Sequence, residues 1–165
     1  MLGTIRADEA EFLGFLKMHV PEVHEVVIEL RKSDPVDYQE ALREAEAAQA
    51  NFERVRKYSA EGAAAFLEMF RLDFFAVGIA DEIVLSDDPD EKTRLKTELT
   101  KMIGESFDQW EIYERARIEQ LERALKQTRE QFEEEAESKA EIVEQDVEQL
   151  LKESRQYQRE KQLGN

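Results

Sequence analysis

The sequence predicts an all-α protein, with about four shorter helices packed on the proximal half of a very long C-terminal helix. Three observations carry that expectation. From Asp90 to Gln162 there is no proline and a single glycine, Gly104, and apolar residues return every eleven positions. All three prolines of the chain stand where a helix is expected to start, and none interrupts an apolar period. No segment alternates apolar and polar residues for long enough to suggest a strand.

The first helix is expected over about Asp8 to Met18, with Phe12, Leu13, Leu16 and Val20 on its apolar side. Pro21 then separates it from a second helix reaching Lys32, whose inward residues are Val23, Val26, Val27 and Leu30. Asp34-Pro35 pairs an N-capping carboxylate with a proline at the first helical position, with Asp37 three residues past the cap. The third helix follows to Lys57, carrying Tyr38, Leu42, Ala45, Ala48, Phe52 and Val55 at helical spacing. Ser59 caps a fourth helix over Ala60 to Leu85. There Phe66, Leu67, Phe70, Phe74, Val77, Ala80 and Val84 form a face broad enough to touch two neighbours. Those neighbours are expected to be the third helix and the start of the long one, near Leu95, Met102, Ile103, Phe107 and Trp110. Alternatively Phe66, Met69, Phe70, Phe74 and Phe75 could offer an aromatic surface to unfolded proteins; core packing is the preferred reading.

Asp88-Pro89 opens the last helix in the same way as Asp34-Pro35. Leu99, Trp110, Leu121, Phe132 and Val143 form one row of its repeat. Ile103, Leu125, Ala136 and Val147 form a second row, broken by Glu114; Phe107, Ile118, Ala140 and Leu151 form a third, broken by Arg129. Eleven residues per repeat is about 3.67 residues per turn, which keeps the stripe nearly straight or slightly right-handed. About 70 helical residues would measure about 100 Å, a rod too long for a compact domain. The expected division is therefore a helical core with the start of the long helix over residues 1–110 and a protruding coiled-coil region over 111–165. The distal seam of Leu121, Leu125, Phe132, Val143, Val147, Leu150 and Leu151 needs a covering partner, because isolated helices gain little without burying an apolar face. Self-association as a homodimer, or another protein partner on the long helix, is expected.

Composition narrows the function. The 165 residues carry a formal charge of −16, are 38% charged and include no cysteine. High charge with helical periodicity reads as long helices, and the grouped aromatics argue against disorder. The acidic excess persists along the chain: nine Lys/Arg against nineteen Asp/Glu up to Asp88, then fourteen against twenty. Nucleic acid and anionic lipid are therefore not expected partners, since both are bound by clustered cations. The one basic cluster, Arg54, Arg56 and Lys57, falls where a helix end favours positive charge. Residues 1–9 lack a basic segment followed by a long apolar one, so no signal peptide is expected and the cytoplasm is the default compartment, with the periplasm open if a signal was removed. No apolar stretch is long enough to span a bilayer.

Chemistry-bearing residues are few. His19 and His24, with Glu22, bring together imidazole and carboxylate donors that bind zinc, copper or nickel, but five residues across a helix break do not share one face. They are read as surface histidines. No Glu-x-x-His pair supports a di-iron bundle. The cluster Asp87, Asp88, Asp90 and Glu91 is read as helix capping, because an EF-hand loop needs a central glycine and spaced ligands. Phosphate-binding loops and a nucleophile elbow are absent from the sequence, and no carboxylate pair is identifiable as catalytic. The expectation is a non-enzymatic protein without a cofactor.

The pattern Pro21-Glu22, Asp34-Pro35, Tyr38 and Ala41-Leu42, followed by a long charged helix, resembles uncharacterised helical proteins of bacteria. In layout, over about residues 20–150, it also resembles the periplasmic Spy, CpxP and zinc-resistance-associated group. That resemblance implies an all-helical dimer that shields unfolded clients or responds to metals. The group's Leu-Thr-x-x-Gln motif is not met at Leu99-Thr100-Lys101-Met102-Ile103, and its client-binding surface is basic where this chain is acidic. The primary expectation is a scaffold, oligomerisation or adaptor protein acting through its long amphipathic helix; the alternative is a stress chaperone or metal-responsive regulator.

Overall fold

Capping chemistry sets where the helices begin. In the computed structural model, which describes residues 7–163, Asp34 accepts hydrogen bonds from the backbone N–H groups of Val36 (3.0 Å) and Asp37 (3.2 Å). Ser59 Oγ accepts from Gly62 N at 2.9 Å, and Asp88 Oδ1 from Asp90 N at 2.9 Å. Each satisfies N–H groups that the first helical turn leaves unpaired. The helices are α1 (Ala7–His19), α2 (Pro21–Ser33), α3 (Pro35–Arg56), α4 (Ala60–Leu85), α5 (Pro89–Glu137) and α6 (Lys139–Leu163). Among the described residues there is no strand. The signal-peptide reading of residues 1–9 falls largely outside them.

The single helix expected from Asp90 to Gln162 is two helices, of 49 and 25 residues, so the longest helix is not the C-terminal one. The division is one residue wide. Ser138 N still donates to Glu134 O and Ile142 N to Ser138 O, both at 3.0 Å, so helical hydrogen bonding brackets the break. Its cause is local. Glu130/Glu134 and Glu133/Glu137 are like-charge pairs four residues apart, which destabilise a helix, and serine is a weak helix former. No packing offsets these costs, because residues 130–140 are exposed.

The core is built from α1 to α4. Leu16, Val23, Val27 and Val55 are its most deeply buried large side chains. The first three helices pack on one another, and α3 packs along α4. Tyr38 ties the bundle together at one end: its hydroxyl donates to Glu9 at 2.6 Å, Arg31 lies 3.6 Å from the same carboxylate, and the guanidinium sits 5.9 Å from the Tyr38 ring. Burial and the hydrogen bond to Glu9 push the Tyr38 phenol up to about 12. The chain divides into two compact units, one ending at Gln120 and one beginning at Leu121.

Candidate interaction surfaces

Residues of α5 up to Gln120 trace two stripes, as the 3.6-residue period requires. One stripe, Leu95, Ser106, Tyr113 and Ala116, is buried. Ser106 Oγ donates to Asp73 Oδ1 at 2.6 Å, the Tyr113 ring lies 5.7 Å from Phe66, and its hydroxyl is 3.4 Å from Asn51 Nδ2. Ala116 meets α4 at Gly62, where an added Cβ would lie 2.7 Å from the alanine Cβ. Glycine is needed there for close approach. The three contacts run antiparallel, residue 62 against 116, 66 against 113 and 73 against 106.

The other stripe is open. Ile103, Phe107, Trp110 and Ile118 are 43–56% exposed, and the Phe107 and Trp110 rings lie 5.1 Å apart. Of the five long-helix residues expected against the fourth helix, Leu95 is buried and Met102 half-buried, but Ile103, Phe107 and Trp110 are not. Those three lie on the neighbouring stripe, turned away from the one that meets α4. From Leu121 to Glu160 every described side chain is exposed, and this includes Leu121, Leu125, Phe132, Val143, Val147, Leu150 and Leu151. Phe132 is 70% exposed.

A second surface lies between α3 and α4. Phe66 is buried, whereas Phe70, Phe74 and Met69 are half-buried and line an open groove of about 480 Å³. Ala47, Ala48 and Val77 complete its apolar wall, with Glu44, Asn51 and Asp73 also lining it. A neighbouring groove of about 340 Å³ shares Glu44, Phe74 and Val77 and adds Val26 and Leu30 from α2. The aromatic helix is thus divided between core and surface. Val77 and Val84, expected on its broad apolar face, are exposed.

The candidate metal ligands are not brought together. His19 lies among aromatic rings, 4.6 Å from Phe52 and 5.1 Å from Phe15. Glu22 is exposed and contributes to the negative field at Arg71, as does Glu105 of α5. Arg71 is held chiefly by Glu68, through Nε at 2.9 Å and Nη2 at 2.6 Å, and this paired contact draws the Glu68 carboxyl below its ordinary range. Among the described residues no group of three His, Asp or Glu side chains is placed to hold a metal ion. None of their helices is long and apolar enough to cross a membrane.

Helical periodicity missed the α3–α4 groove and the Gly62–Ala116 approach, because both depend on the distance between helices. The small residues Ala47, Ala48 and Gly62 were the available signal. No family model, curated protein or solved structure matches the chain.

Proposed function

We propose that the protein is a non-enzymatic helical scaffold or adaptor that self-associates through the apolar seam of its long amphipathic helices. The observation that supports this is the repeat of exposed leucine, valine and phenylalanine at helical spacing from Leu121 onward, where no described side chain is buried. Removing such side chains from water contributes about 25 cal/mol per Å² of apolar area, and a periodic stripe lets a second helix bury them together. In this reading α5 and α6 act together, because the eleven-residue repeat continues in the sequence across Ser138. Light scattering on the full chain at micromolar concentration is expected to give twice the 19.3 kDa chain mass, falling toward one mass on dilution. A single-chain mass throughout would contradict the proposal.

The groove lined by Met69, Phe70 and Phe74 supports a second reading, a chaperone-like surface for apolar segments of other proteins. Stoichiometric suppression of aggregation of a denatured client, lost in Phe70→Ser, would favour it. Unchanged aggregation would exclude it.

A further inference from the structure

We propose that the partner on the α5 seam is a second copy of this chain running antiparallel, with the two-fold axis between Leu121 and Glu122 and Glu114 of each copy facing Arg129 of the other. This rests on the self-association proposed above and adds its orientation and register. The seam of α5 contains two charged residues, Glu114 and Arg129, each interrupting an apolar row. They are of opposite sign and nearly equidistant from Leu121, seven residues before it and eight after. Glu114 is bonded within its own helix to Arg117 at 2.9 Å, and among the described residues no ion pair engages Arg129.

The rest of the seam repeats that symmetry in size. With copies antiparallel about that axis, Ile118 meets Leu125 and Trp110 comes within one residue of Phe132. Phe107 then meets Ala136, a large ring against a small side chain. Large-against-small pairing fills the space between two helices without voids or overlap. In a parallel, in-register pair each residue would face itself. Phe107 would crowd Phe107, Ala136 would leave a gap at Ala136, and the seam would enclose Glu114 against Glu114 and Arg129 against Arg129.

One feature of the flank opposes the antiparallel arrangement. Glu111, Glu122 and Glu133 border the seam and would face glutamates of the partner. All three are exposed, where solvent and salt screen repulsion. Charges enclosed within the seam are screened far less, so Glu114 and Arg129 decide the orientation.

The chain has no cysteine, so a single Asp108→Cys substitution on the exposed side of α5 accepts one spin label per copy. In the antiparallel dimer residue 108 lies level with residue 135 of the other copy. Pulsed dipolar spectroscopy is then expected to read about 40 Å between labels, at 1.5 Å per residue. In the parallel dimer the labels would be level, within about 20 Å, one helix diameter plus the label arms. A distance near 40 Å supports the proposal. A short distance overturns it while leaving self-association intact, and a single-chain mass with no dipolar coupling overturns both. Charge exchange supplies an independent arm: Glu114→Arg and Arg129→Glu are each expected to weaken dimerisation at least about tenfold, and the double exchange to restore it. Failure of the double exchange to restore it would overturn the Glu114–Arg129 pairing.

Discussion

Residues 89–120 and 121–137 of α5 share one helix and one mixture of apolar and charged residues, yet they are held in different ways. The first stretch is fixed by tertiary contacts: Leu95 is buried, Ser106 bonds Asp73, Tyr113 meets Phe66, and Ala116 closes against Gly62. The second buries none of its side chains, and its support is local, as in the exposed Lys126–Glu130 pair at 3.7 Å. Such pairs contribute a few tenths of a kcal/mol each, less than one buried leucine. Among the described residues the second stretch rests on helical propensity and local side-chain pairs, and its apolar side chains are left exposed.

Substitutions should therefore act very differently on the two sides of Gln120. The largest loss is expected for Phe66→Ala, about 3–5 kcal/mol in denaturant unfolding, because a buried ring that also meets Tyr113 is removed. A loss below about 1 kcal/mol would show that this part of α4 is not core. Next comes pH. The Tyr38 phenol ionises at 10.0 when unfolded and at about 12 when folded, so the folded state holds its proton more tightly. That stabilisation is complete below pH 10 and is lost as pH rises toward 12, amounting to about 2–3 kcal/mol. Alkaline titration of stability should show this decline in the wild type and a shallower one in Tyr38→Phe; equal slopes would remove the role assigned to the buried Tyr38 phenol and its bond to Glu9.

Gly62→Ala sharpens the comparison within the packed region. Gly62 stands in the first turn of α4, where alanine's advantage over glycine is below the about 1 kcal/mol of a helix interior, and the new methyl meets the Ala116 Cβ at 2.7 Å. The sign should reverse, with a net loss of about 1–2 kcal/mol measured by thermal unfolding. Asp34→Ala should cost about 1 kcal/mol through the two unpaired N–H groups at the start of α3. At the lower extreme, Phe132→Ser should leave unfolding of the α1–α4 core unchanged within about 0.5 kcal/mol, while weakening self-association.

Much of the helical fold was legible in the chain because caps and prolines are local signals. Asp34, Ser59 and Asp88 marked three helix starts without reference to any neighbour. The division at Ser138 was less visible: the apolar repeat continues across it, while the like-charged glutamates before it weaken the helix without breaking the repeat. On α5, the eleven-residue pattern located the apolar seam but not the stripe that packs, since Ser106 and Ala116 carry no apolar signal of their own. Their burial follows from Asp73 and Gly62 on α4, which only the distance between helices brings together. The aromatic run of α4 was legible as apolar, but its division between core and groove depends on the small alanines facing it from α3.

The proposed self-association has another chain covering the open stripe of α5, and Leu121→Glu tests it most directly. In sedimentation equilibrium at matched micromolar concentration, the wild type is predicted to have twice the chain mass and the variant a single mass, with the core of both unfolding at the same temperature. Equal masses for the two proteins, whether single or double, would contradict the account.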